Sequence, residues 1–259
     1  MMKPSHSRPT RNIPMRKKNP KTSGFTLIEL MIAITIGLFM IAGMIAIVIS
    51  MKGSFNTQGQ LSNVQDSQRF SLTVLDNTIR TAGYFPNPTS ILSAAALPAT
   101  STANPDGTTF AAAQGIVGTT GTSPASDTIN VRFQSASGDG LMDCQGDTNT
   151  SGSSVIWTNS FAINAANQLT CVVSVNGGTP GTPSVLVDNV ASISVLYGVN
   201  TINKVNSVDT YLPASAVANW AQVMSTQITI TFLDLVNATP TKAPTLPPLV
   251  HTISLMSNT

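Results

Sequence analysis

A lone glutamate, Glu29, stands four residues after an aromatic residue, Phe25, which directly follows Gly24. From Leu30 to Ile49 there are then twenty residues without a charge. An ionised carboxylate at the edge of such a run is costly in a bilayer unless a positive partner meets it. Hydrolysis of the Gly24–Phe25 peptide bond would supply that partner. The new α-amino group of Phe25 could neutralise the Glu29 carboxylate of a neighbouring copy in apolar surroundings, and the pair would set the axial register of the two chains. A glycine before the scissile bond lets a protease approach the backbone closely.

Other residues with chemical potential are few. Cys144 and Cys171 are the only cysteines. In an oxidising compartment they predict a disulfide, which closes a loop of about 28 residues and stabilises by roughly 3–4 kcal/mol. Neither sits in a Cys-x-x-Cys or Cys/His cluster, which argues against a reactive or metal-binding pair. Asp147, Asn149, Ser151 and Gly152 match the opening of an EF-hand-type loop, but Thr158 occupies the place of the bidentate Glu. A solvated Asx turn is the ordinary reading of that loop, with calcium a secondary alternative. No metal, cofactor or catalytic residue is therefore expected. The two histidines, His6 and His251, lie in no zinc motif, and the chain has no nucleophile elbow or phosphate loop. His251 reads as a strand residue. Trp157, Trp220 and Tyr211 offer either a ligand-facing aromatic surface or partial core burial.

Charge and periodicity indicate the scaffold that holds these residues. The net charge of +2 conceals an asymmetry: Lys3, Arg8, Arg11, Arg16, Lys17, Lys18 and Lys21 precede residue 25 with no acidic residue among them. The rest of the chain has six basic against eleven acidic side chains, a balance of −5 that argues against nucleic-acid binding. A basic segment ahead of an apolar span keeps the N-terminus cytoplasmic and sends the C-terminal part of the chain across the membrane. Twenty residues at about 1.5 Å each suffice for a hydrocarbon core of about 30 Å. Beyond the span the chain stays free of proline to Phe85, and Leu61, Val64, Gln68, Leu72, Leu75 and Ile79 recur at helical spacing. One helix from about Phe25 to Ala82 is predicted, stopped by Gly83 and Pro86. Arg69 and Arg80 read as helix-surface donors to carboxylates or to sheet loops.

Residues 87–126, rich in Ala, Thr, Ser, Pro and Gly, read as a loop-rich segment. Apolar alternation then marks strands at 127–134, 154–162, 168–175, 184–199, 222–236 and 249–255. The expected organisation is a basic leader at 1–24, a membrane or filament-core helix at 25–49, its exported half at 50–86, the loop-rich segment at 87–126, and a β-rich domain at 127–259. The fold class is α+β: a long N-terminal helix packed on a mainly antiparallel sheet.

The run Gly24-Phe25-Thr26-Leu27-Ile28-Glu29-Leu30 resembles the signal of type IV prepilins and type II secretion pseudopilins. That resemblance implies cleavage after Gly24 by a prepilin peptidase, N-methylation of Phe25 from S-adenosylmethionine, and docking of the subunit through Phe25 and Glu29. It also implies a lipid bilayer before assembly, an inner-membrane assembly platform, and finally a filament at the cell surface whose partners are other pilins. Ile36-Gly37-Leu38-Phe39, Arg69-Phe70 and Arg80-Thr81-Ala82-Gly83-Tyr84 are similar to the helix of PilW-type minor pilins. The later runs Asp143-Cys144-Gln145-Gly146 and Val195-Leu196-Tyr197-Gly198-Val199 are similar to looser landmarks of that family. The expected role is a minor pilin that primes or caps a type IV pilus. A secretion pseudopilin, a tip adhesin and a membrane-anchored periplasmic binding module are the alternatives.

Overall fold

The computed structural model describes residues 24–122, 126–202, 207–236 and 244–256. Residues 1–23 of the leader lie outside them. The chain divides into two compact units, Met1–Phe55 and Asn56–Thr259. One helix, α1 (Leu27–Arg80), runs through the boundary.

In the first unit, α1 starts where sequence chemistry provides a cap. Thr26 and Glu29 have the spacing of a capping box, and the Glu29 amide donates to Thr26 Oγ1 at 3.3 Å while the Leu30 amide donates to the Thr26 carbonyl at 3.2 Å. The helix therefore begins at Leu27 and not at Phe25, where apolar spacing alone would start it, because Thr26 acts as its cap. Apolar residues cover it on all sides to Ile49, and none is buried within the chain. By length and composition this helix can cross a membrane.

In the second unit, α1 turns amphipathic. Ser71, Leu75, Thr78 and Ile79 are buried, Val64, Gln68 and Leu72 are half-buried, and Leu61 is exposed. The stripe predicted from spacing is thus present over its last five turns, and its first member lies too far along the helix to meet the sheets. Gly83 ends the helical path with φ +77°, its amide donating to the Arg132 carbonyl at 2.9 Å. A Cβ on Gly115 would stand 2.2 Å from the Gly83 nitrogen, so the two backbones meet where no side chain fits.

Strands β1 (Ile116–Thr119), β2 (Thr128–Ser135), β3 (Val155–Ile163), β4 (Leu169–Val175) and β5 (Ser184–Val187) form one sheet in that order. A second sheet has the order β7 (Thr210–Pro213), β6 (Val190–Val199), β8 (Val223–Phe232) and β9 (Leu249–Ser254). Every neighbouring pair is antiparallel. Leu75 and Ile79 of α1 share one apolar core with Ile129, Val131 and Phe161 of the first sheet and Val195, Tyr197, Ile228 and Phe232 of the second. The fold is the α+β arrangement of a long helix on antiparallel strands.

Three details differ from the pattern read in the sequence. The apolar run 184–199 is two strands, because Asn189 takes a left-handed φ of 62° and the chain passes there from the first sheet to the second. Asparagine tolerates that conformation, whereas the β-branched residues around it do not. The segment 87–126 contains a short helix, α2 (Ser93–Ala96), and the edge strand β1. At four residues, β1 is too short to show a period. Strand β7 is equally short and has no counterpart among the strands that alternation marks.

Candidate processing and docking site

Residues Gly24 to Thr26 are not helical, and Phe25 is 83% exposed. Nothing lies within 4 Å of a Cβ built on Gly24. The Gly24–Phe25 bond is thus held in irregular backbone one residue ahead of the cap, a form of chain that a protease can bind extended. Glu29 lies in the first turn of α1, where the positive end of the helix dipole favours its carboxylate. The cap fixes where α1 starts, leaving Phe25 just ahead of the helix and Glu29 in its first turn.

The second unit carries the remaining candidates. Cys144 and Cys171 are joined in a disulfide with a Cα–Cα distance of 6.3 Å, within the range such bonds span. Both are buried, and the Cys144 amide donates to Asn159 Oδ1 at 2.8 Å. The bond pins the loop between β2 and β3 to β4. Beside it, Asp143 accepts from the amides of Gln145 at 2.8 Å and Asp147 at 2.9 Å. Burial raises its carboxyl above the usual value, and those backbone donors oppose the rise.

The calcium candidates serve the loop's own turns. Asn149 is buried; its Nδ2 donates to the carbonyls of Ser135 and Ser153, and its Oδ1 accepts from the amide and hydroxyl of Ser151. Asp147 is exposed. Among the described residues no group of three or more His, Cys, Asp or Glu is placed to hold a metal ion.

The three aromatic candidates do not converge. Trp157 donates its indole hydrogen to Ser135 Oγ at 2.9 Å in the first sheet. Trp220 packs edge-on against Tyr197 at 4.7 Å between ring centroids. Tyr211 lies half-exposed on β7. His251 is on β9, in keeping with its apolar flanks, with Nε2 3.1 Å from Asp76 Oδ1 of α1. Arg80 pairs with the same carboxylate at 2.9 Å, one helical turn away.

Sequence reasoning missed Arg132, whose exposure is 1%. Its Nε donates to the Gln114 carbonyl at 2.6 Å, Nη1 to Pro98 at 2.5 Å, and Nη2 to Ala111 at 2.6 Å and Leu97 at 3.2 Å. The guanidinium also sits 4.7 Å from the centroid of the Phe110 ring. Desolvation lowers its pKa to about 10, far enough above neutrality to leave it charged. A strand alternating Ile129, Val131 and Phe133 assigns Arg132 to the opposite face, and alternation carries no sign that this face is covered. The segment 97–114 covers it, and Arg132 ties that segment down.

Two family models match the chain. The prokaryotic N-terminal methylation motif matches residues 19–45, and the type IV pilus-assembly protein W family matches residues 149–258. No curated protein matches. Among solved structures, a type IV-like pilin from Thermus thermophilus is similar at 13% identity and a TM-score of 0.40, over 74% of this chain and 96% of its own. The motif match spans the Gly24–Phe25 junction and Glu29, and the second match spans strands β3 to β9. The chain thus joins an N-terminal methylation motif on a capped apolar helix to antiparallel strands whose sequence is similar to that of the type IV pilus-assembly protein W family.

Proposed function

We propose that the chain is a minor pilin, a structural subunit that helps to prime or cap assembly of a type IV pilus. The observation that carries this reading is Glu29 in the capped first turn of an exposed apolar helix, four residues after Phe25. Cleavage after Gly24 leaves an amine at Phe25, which prepilin peptidase methylates. The subunit waits in the inner membrane with the second unit in the periplasm. During assembly the Phe25 amine meets the Glu29 carboxylate of a neighbouring pilin, so two charges that are costly alone in apolar surroundings become a pair. Other pilins and the assembly platform are the partners.

Replacing Glu29 with Ala separates this reading from that of a plain membrane anchor. In an anchor, the change removes an unfavourable charge and membrane retention is kept or improved. In a filament subunit, insertion and cleavage continue, but one charge is left unpaired at a cost on the order of 3–5 kcal/mol, and incorporation collapses. The measurement is the amount of Glu29→Ala protein in sheared filaments relative to membranes, with intact mass reporting N-methyl-Phe25 as the mature terminus. Full incorporation of the variant, or a mature terminus elsewhere, would remove the basis of the proposal.

A further inference from the structure

Arg132 has one N–H left over. A guanidinium carries five such donors. Nε and both hydrogens of Nη2 go to the carbonyls of Gln114, Leu97 and Ala111, and Nη1 uses one of its two on Pro98. Those acceptors are neutral, so they satisfy hydrogen bonds and leave the charge uncompensated. Among the described residues no carboxylate pairs with Arg132, and the ion pairs found there are those of Asp76 with Arg80 and His251. A cation at 1% exposure without a counter-charge is costly unless an anion can reach it.

The fold leaves an anion a way in. Arg132 and Pro98 line a cleft of about 120 Å³ with Thr100, Ser101, Asn176 and Gly177, while Ala99 and Ile156 supply its apolar wall. The cleft lies between the segment that covers β2 and the turn after β4, where a Cβ on Gly177 would stand 3.6 Å from Thr100 Cγ2. Its rim is open, since Pro98, Ser101 and Asn176 are exposed. Several of its donors are unengaged. Asn176 takes a left-handed φ of 52° and its Oδ1 accepts from the Ile156 amide at 2.9 Å, which leaves Nδ2 without a described acceptor. The Thr100 hydroxyl accepts from the Phe110 amide at 2.9 Å and donates to no described residue. The amides of Asn176 and Gly178 bond to the Ile156 and Val175 carbonyls, whereas the Gly177 amide between them has no acceptor among the described residues. No acidic residue is among those that line the cleft.

We propose that this cleft binds a carboxylate. One negative charge answers the one positive charge, and two carboxylate oxygens can accept from the remaining Nη1 hydrogen and from the neutral donors around it. A phosphate dianion would bring a second charge with no second cation to meet it, and a neutral ligand would leave Arg132 uncompensated. The carboxylate can belong to a free small acid or to an acidic side chain of another chain, since both offer the same two oxygens. The site is independent of Glu29 and of pilus docking, so it stands or falls separately from the assembly role.

The test follows the Gly177 amide and the Arg132 Nε–H by NMR, on the full chain in a maltoside detergent, as sodium acetate replaces sodium chloride at constant ionic strength. Saturable shifts of both signals at millimolar acetate are expected, the range so small a ligand reaches, and phosphate should act more weakly. Asn176→Asp keeps the bond to Ile156 and fixes a carboxylate in the cleft, so like charge meets like and acetate should bind about tenfold more weakly or worse. Leu92→Asp adds the same charge at an exposed residue outside the cleft and should leave acetate binding unchanged. Arg132→Met should abolish the Gly177 shift. Thermal melts establish that each variant is folded, and should Arg132→Met unfold, Asn176→Asp decides. A blocked peptide with a single aspartate separates the two sources: shifts with peptide and acetate alike assign the cleft to a side chain of another chain, and shifts with acetate alone assign it to a free acid. No saturable shift, a response to phosphate as strong as that to acetate, or acetate binding indifferent to Asn176→Asp would overturn the proposal.

Discussion

Arg132 ties a long irregular stretch of the second unit to strand β2. Its guanidinium satisfies four carbonyls between residues 97 and 114, a stretch with little regular structure to satisfy them otherwise. Arg132→Met keeps the apolar stem but strands those acceptors, so unfolding in urea should require on the order of 3 kcal/mol less free energy. Arg132→Lys should recover part of the loss, since an ammonium is a point donor and cannot span the four carbonyls. Equal stability of the Met variant and the parent would show that water replaces the guanidinium. Asp143 makes the opposite contribution. Its folded-state pKa is raised by burial, so between the unfolded value near 3.9 and the folded value the native state holds a proton that the unfolded chain has released. Stability from this group therefore falls as pH rises through that window, and the full penalty is present at pH 7. Asp143→Asn keeps an oxygen to accept from Gln145 and Asp147. The variant should be more stable than the parent at pH 7, with the difference shrinking below about pH 4. Denaturation curves at the two pH values check the sign.

Among the elements, the loop between β2 and β3 depends on a covalent tie. It is long, it is built from Asx turns, and it contributes Cys144 to the core by bonding to Cys171. Replacing both cysteines with serine should lower the unfolding free energy by roughly 3–4 kcal/mol on the chain-entropy account. Two hydroxyls would also be buried where sulfur was. The double variant should show the larger loss of amide protection at residues 139–147 and in β4, and little change in β8, which has β6 and β9 on either side. Hydrogen exchange resolves these segments. Uniform loss over both sheets would mean that the disulfide stabilises the unit as a whole and not the loop.

At the scale of the molecule, the two units owe their stability to different surroundings. The apolar core includes nothing before Leu72, and the helix up to Phe55 has no buried residue. A fragment beginning at Asn56 should therefore be soluble, form the Cys144–Cys171 disulfide and melt cooperatively, because every contact of the core is retained. The first unit alone should be helical only in lipid or detergent, where its exposed apolar surface is covered. Circular dichroism of the fragment during heating measures this, and a broad non-cooperative transition would show that the N-terminal helix stabilises the sheets.

The long apolar helix and the class of the fold are legible in the amino-acid order. Thr26 and Glu29 meet as near neighbours in the chain, and the cap that starts α1 spans only four residues, so this part of the structure is local. Long strands such as β2, β3 and β8 are legible for the same reason, since alternation over eight or more residues has one physical solution. Where one face covers another is settled only in three dimensions. The break at Asn189 separates two sheets whose residues have the same alternation, and nothing in the pattern of Val187 or Val190 reveals that they belong to different layers. The burial of Arg132 depends on a segment some twenty to thirty-five residues earlier folding over its strand. The Tyr211 hydroxyl reaches Ser225 because Gly198, thirteen positions before Tyr211, is brought alongside by strand pairing. Burial and cross-strand contact join residues far apart in the chain, and a periodic pattern shows that a face exists without showing what will lie against it.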